Sequence, residues 1–193
     1  MDLMLGRNEE DDYKIFCLEG VDDVEENLDS DLMKDLEILA LNTGITSVYK
    51  SCDSFEGFEE SISNLLYVDK YFRDYKIIYL VFYGENQTIE LNDFSYGLEE
   101  IAELFEGKLT NKIIHFANTK TLDLEDEDFQ YFLDVTGAKA LSGYIHSSPV
   151  FSSVLDQHFF ALHQDYDDVI ELVEKLFDKY ASLCTKLGFR LYY

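Results

Sequence analysis

The chain has 193 residues, with 15 Lys and Arg against 40 Asp and Glu, a formal charge of −25. At 47% hydrophobic and 15% aromatic it has the apolar material for one packed domain, while a single proline and ten glycines exclude collagen-like and linker-type sequences. The charge is of the wrong sign for a nucleic-acid backbone or an anionic membrane surface, so neither is expected as a partner.

Taken in order, residues 1–12 carry Glu9-Glu10-Asp11-Asp12 and are expected to fray. Tyr13-Lys14-Ile15-Phe16-Cys17-Leu18 reads as a strand stopped by Glu19-Gly20. Ser30 stands as the N-cap of a helix carrying Leu32, Leu36, Leu39 and Ala40 at helical spacing, with Asn42-Thr43-Gly44 as its stop. Residues 45–50 read as a second strand, and Ser54 caps a helix with Phe58, Ile62, Leu65 and Leu66. Residues 75–83 are rich in β-branched and aromatic side chains without alternation, the pattern of a central strand buried on both faces. Gly84-Glu85-Asn86-Gln87 leads into a short strand at 88–91, a small hairpin excursion. Then come a helix around Leu98 to Phe105, a buried strand at 112–116, a helix at 126–135 and a strand at 138–145. Two helical stretches follow, around 150–163 and 167–187. The second carries a clear stripe of Val169, Leu172, Val173, Leu176, Tyr180, Cys184 and Leu187. Residues 189–193 close the chain as an edge strand.

Strands alternating with helices, and no Pro/Gly/Ser linker, predict a single α/β domain over residues 1–193. Its sheet is mainly parallel, with helices on both faces. No basic stretch followed by an apolar run opens the chain, and the longest apolar run, residues 77–82, is far below the roughly 20 needed to span a bilayer. Three widely spaced cysteines without a CxxC pair exclude a zinc module and a disulfide framework. A cytoplasmic protein is expected.

In such a sheet the functional crevice lies beyond the carboxyl ends of the strands. Its expected lining includes Glu19, Tyr83, Gly84, Glu85, Asn118, Thr119, Lys120 and His146. No GxGxxG or GxxxxGK[ST] is present, and Glu19-Gly20-Val21-Asp22-Asp23 puts acid where a phosphate needs positive dipole. A phospho-acceptor receiver lacks its acceptor, because the third strand ends Phe82-Tyr83-Gly84. No cofactor is implied. The four histidines offer no HxxxH or HExxH spacing, and no metal site is expected. Cys52 is the one cysteine at a strand end. In a 2-1-3-4-5 strand order, however, His146 stands roughly 20 Å from it, too far for a dyad.

From Lys76 to Thr121 the chain resembles caspase-like cysteine peptidases, the bacterial CHAT branch in particular. There a buried strand ends in His-Gly, a hairpin and a helix follow, and a second buried strand ends in a small residue and the nucleophilic Cys. The His-Gly strand is matched by Ile77-Ile78-Tyr79-Leu80-Val81-Phe82-Tyr83-Gly84. The Cys strand is matched by Ile113-Ile114-His115-Phe116-Ala117-Asn118-Thr119. Phe16-Cys17-Leu18-Glu19-Gly20 and Gly188-Phe189-Arg190 resemble the opening and ending of a small bacterial caspase-like family. The resemblance implies a caspase-like fold whose catalytic His position holds Tyr83 and whose Cys position holds Asn118 or Thr119. A phenol with an ordinary pKa near 10 is a poor base, so a degenerate protein that binds a peptide or protein partner is expected. Two alternatives stand beside it: an active hydrolase with Cys52 as nucleophile, and an acidic decoy or immunity-type protein for a basic partner. The densest acid, between Val21 and Glu37, bears on the second.

Overall fold

The computed structural model describes residues 13–27, 30–117, 120, 122–146 and 149–193, without the side chains of 149–152. Residues 1–12, expected to fray, lie outside the described residues. In chain order the elements are β1 (Lys14–Gly20), α1 (Asp31–Thr43), β2 (Thr46–Cys52), α2 (Phe55–Tyr67), β3 (Tyr75–Val81), β4 (Thr88–Leu91), β5 (Phe94–Gly97) and α3 (Leu98–Glu103). They continue with β6 (Ile113–Ala117), α4 (Asp126–Thr136), β7 (Ala140–Tyr144), α5 (Pro149–Asp165), α6 (Val169–Leu187) and β8 (Phe189–Tyr192). Both serine caps form as the sequence predicts. Ser30 Oγ accepts from the Leu32 N–H and Ser54 Oγ from the Gly57 N–H. Gly188, at φ 62°, supplies the left-handed residue that ends α6.

One six-stranded sheet runs β2-β1-β3-β6-β7-β8, parallel throughout except that β8 returns antiparallel to β7. This is the 2-1-3-4-5 order expected, extended by the terminal edge strand. The central strands are buried along nearly their whole length, because both faces are covered. On one face, α2, α3, α4 and the hairpin close over Phe16, Leu18, Ile78, Leu80, Ile114, Phe116 and Leu141. On the other, α1, α5 and α6 close over Ile15, Cys17, Ile77, Tyr79, Ile113 and Tyr144. A mainly parallel sheet with helices on both faces is therefore the architecture.

The excursion after β3 is larger than the sequence suggests. Beyond 88–91 a second strand, β5, pairs antiparallel with β4 across a turn at Asn92 (φ 49°) and Asp93 (φ 64°). Asn86 (φ 54°) and Gln87 (φ 64°) make a similar left-handed turn just before β4. Asparagine and aspartate tolerate this conformation best, which is the signal Asn92-Asp93 carries in sequence.

This hairpin also closes the point where the strand order reverses, between β1 and β3. A Cβ on Gly20 would lie 2.5 Å from the Phe82 ring and 3.3 Å from Leu91. Phe82 is 1% exposed. The crevice that doubly wound folds use for ligands is thus filled by Phe82 under a hairpin side chain.

Candidate functional site

Beyond the sheet, the chains leaving β3 and β6 stay side by side. Val81 pairs with Ala117, the Lys120 N–H donates to the Gly84 carbonyl at 3.1 Å, and Glu85 pairs in parallel with Lys120. Tyr83 therefore follows the carboxyl end of β3, and Lys120, on the chain after β6, lies beside Gly84 and Glu85. Asn118 and Thr119 themselves lie outside the described residues. Tyr83 is 64% exposed, and its carbonyl accepts from the Glu90 N–H at 2.7 Å, so its backbone is tied to β4 while its ring faces solvent. Gly84 has a structural reason to be glycine, since a Cβ there would lie 2.0 Å from the Thr88 carbonyl oxygen.

Glu85 and Lys120 face each other at 4.0 Å, both more than half exposed. With Asn86, Gln87, Asp123 and Ile145 they line an open cavity of about 330 Å³. Glu19, also expected in the crevice, turns to other partners. Glu19 accepts from Ser30 Oγ at 2.8 Å and from the Tyr49 hydroxyl, which in turn accepts from Asn27 Nδ2 at 2.9 Å. It thus fastens the acidic connection before α1 to the neighbouring strand. Burial first, then the Glu19 carboxylate, pushes the Tyr49 phenol up to about 12. His146 is exposed on the β8 side, where its N–H donates to the Leu187 carbonyl and its ring lies beside Gly188. A position at a strand end does not decide which way a side chain turns.

All three cysteines are buried and unpaired. Cys52, the one placed at a strand end, is 2% exposed among Phe58 and other apolar side chains. Burial, helped by Asp53, pushes its thiol up to about 12, the opposite of what a nucleophile needs. Cys17 is pushed well above its ordinary value and Cys184 up to about 11, both chiefly by burial.

Sequence reasoning missed one constellation. His115 Nδ1 lies 2.8 Å from Ser142 Oγ, and its Nε2 lies 2.6 Å from Asp156 Oδ1. That carboxylate also accepts from the Tyr79 hydroxyl at 2.7 Å and from the Tyr144 hydroxyl. The Ser-His-Asp order matches that of a nucleophilic triad. His115 and Ser142 are 0% exposed and Asp156 1%, beneath α5 among Phe159, Phe160 and Phe189. No substrate reaches it there. Burial, reinforced by Asp156, pushes the Tyr79 and Tyr144 phenols well above their ordinary value. All of these phenols are therefore donors to a carboxylate, and the cluster binds α5 to β3, β6 and β7. Asp156, the partner of His115, stands 41 residues on in α5 and gives no separate signal in the sequence.

The model of a family of unknown function, DUF6642, matches residues 12–193. The chain belongs to DUF6642. No curated protein matches it. In the DUF6642 chain no helix among the described residues is long and apolar enough to cross a membrane. Nor do the described residues gather three His, Cys, Asp or Glu side chains as a metal would need. Of the acids between Val21 and Glu37, Asp22, Asp23, Glu25, Glu26, Asp31 and Glu37 are exposed, Asp35 accepts from Ser153, and Asp29 lies outside the described residues.

Proposed function

We propose that this DUF6642 protein is a catalytically degenerate caspase-like protein, resembling the bacterial CHAT branch, that works in the cytoplasm by binding an extended peptide or protein segment. The observation that carries the reading is the exposed Tyr83, followed by Gly84, just past the end of β3 and beside the chain leaving β6. This is where a caspase-like peptidase keeps its His-Gly. A phenol at that position neither deprotonates a thiol nor protonates a leaving amine efficiently near neutral pH. The buried cysteines support the same conclusion, since none offers a thiolate to solvent.

Function is then recognition without turnover. The open cavity beside Glu85 and Lys120 offers a carboxylate, an ammonium and the amides of Asn86 and Gln87 to a polar backbone. Purified protein, incubated with fluorogenic peptides ending in basic or acidic residues, is expected to show no hydrolysis above buffer and no labelling by a thiol-directed activity probe. Hydrolysis that disappears in Cys52→Ala would establish the active-hydrolase alternative and overturn the reading.

A further inference from the structure

A second cavity adjoins the first and shares Asn86 and Gln87 with it. It opens between the β4–β5 hairpin and helices α3 and α4, with a volume of about 440 Å³. Its apolar lining comes from Leu98, Leu124 and Phe132, and Tyr131 adds an aromatic ring that is 39% exposed. Among the described residues, every charged residue lining it is acidic: Glu99, Glu100 and Asp128. They stand in the first turns of α3 and α4. Glu100 also holds the Gly97 N–H at 2.9 Å, and Asp128 accepts from Gln87 Nε2 at 2.9 Å, so two of the three carboxylates are fixed in place.

We propose that this cavity is a binding subsite for an arginine or lysine side chain of a polypeptide partner. An aliphatic stem of three or four methylenes matches the Leu98, Leu124 and Phe132 lining, as long basic side chains bury their stems while keeping the charged head polar. The head then meets Glu99 and Asp128, with the Tyr131 ring available as a cation–π face. An acidic side chain is repelled by three carboxylates, and a purely apolar one would desolvate them without a partner. The proposal extends the peptide-binding reading above and rests on it for the identity of the partner as a polypeptide. The two cavities meet at the Asn86-Gln87 turn, so one extended segment lying across Glu85 and Lys120 delivers a side chain over that turn.

The test is an amide-resolved NMR titration of the full chain with four neutral-backbone peptides. Each carries one central Arg, Lys, Ala or Glu among Gly and Ser. The Arg and Lys peptides are expected to shift the amides of Gly97, Leu98, Glu99 and Tyr131, whereas the Ala and Glu peptides leave them in place. Glu99→Gln with Asp128→Asn removes two charges while keeping the side-chain volumes. It is expected to weaken the Arg peptide by about tenfold or more, the worth of a charge-assisted hydrogen bond. Glu56→Gln with Glu59→Gln, on the exposed face of α2, removes the same net charge elsewhere and is expected to leave the affinity within about twofold. Equal weakening by both pairs, or no shift with Arg and Lys, overturns the subsite. Shifts confined to Tyr83, Gly84 and Lys120 also overturn it while leaving the peptide-binding reading intact. Thiol-dependent hydrolysis, measured separately, defeats that reading instead.

Discussion

Two polar clusters in this molecule have complementary defects. Ser142, His115 and Asp156 have the connectivity of a nucleophilic triad and no access to solvent. Glu85 and Lys120, beside the exposed Tyr83, have access and, among the described residues, no nucleophile–base pair. Side-chain type and hydrogen-bond order therefore identify a site only in combination with its position relative to the ends of the strands. In the interior the same groups act as a fastening: one carboxylate gathers hydroxyls and an imidazole from β3, β6 and β7 and fixes α5 over them. A buried network of this kind stabilises only while every member is satisfied.

The sharpest way to break the comparison is Asp156→Ala. It leaves the Tyr79 hydroxyl and one His115 nitrogen buried without their acceptor. The loss of stability expected in urea unfolding is about 3–5 kcal/mol. Asp156→Asn, which keeps an acceptor oxygen, is expected to lose less. An Asp156→Ala protein as stable as the parent would remove the fastening role and reopen the triad to a catalytic interpretation.

The second effect is on the same helix and depends on pH. His163 is 6% exposed, and its Nδ1 lies 2.5 Å from the Tyr13 hydroxyl. Burial, with Lys139 and Lys76 adding to it and Asp167 opposing, takes its pKa down from 6.5 to about 4. The unfolded chain therefore binds a proton before the folded one does. Stability from this group is complete above pH 6.5 and is lost as pH falls toward 4, by up to about 3 kcal/mol. His163→Gln is expected to flatten that part of the stability–pH curve. An unchanged slope would place the acid sensitivity in the carboxylates instead.

How much of this was legible in the sequence differs between the two clusters for a physical reason. Strand order follows from apolar runs separated by helices, and Ile77 to Phe82 identifies the central strand without ambiguity. The Tyr83-Gly84 end follows from that strand, because continuity of the chain fixes it. Glu19 belongs to the crevice by the same rule but turns to other partners. For Glu19 the partners Ser30 and Tyr49 decide the direction, and those contacts are tertiary. The Ser142–His115–Asp156 cluster combines two strands and a helix that are 14 to 41 residues apart, so no spacing announces it. Cys52 is buried because its strand ends under α2, beside Phe58, rather than at the open rim.

On the accessible side the expected effects are smaller. Gly84→Ala drives a methyl against the Thr88 carbonyl, and since the obstacle is backbone the turn at Asn86-Gln87 must shift. A cost of about 2 kcal/mol is expected in urea unfolding, together with displaced amide signals along β4 and β5. Full stability and unmoved signals in this variant would show that the hairpin rides freely over the sheet end.

The smallest effect on stability discriminates best between the two clusters. Lys120→Gln removes an ammonium that lies 4.0 Å from Glu85 Oε2, with both side chains more than half in solvent. Exposed pairs at that separation gain little, since water screens the attraction and the long lysine loses entropy when it is held. The expected change in unfolding free energy is therefore below about 0.5 kcal/mol. Among the described residues the side chain is still the one cation lining a cavity that also carries Glu85 and Asp123. Its removal makes that opening uniformly acidic, so any peptide carboxylate or phosphate directed there should be bound more weakly while basic peptides are bound no worse. Parallel unfolding and peptide titrations of Lys120→Gln would separate the two roles. A variant that loses stability as Asp156→Ala does would mean that this rim is as structural as the interior, and that the separation of reactivity from access does not describe this fold.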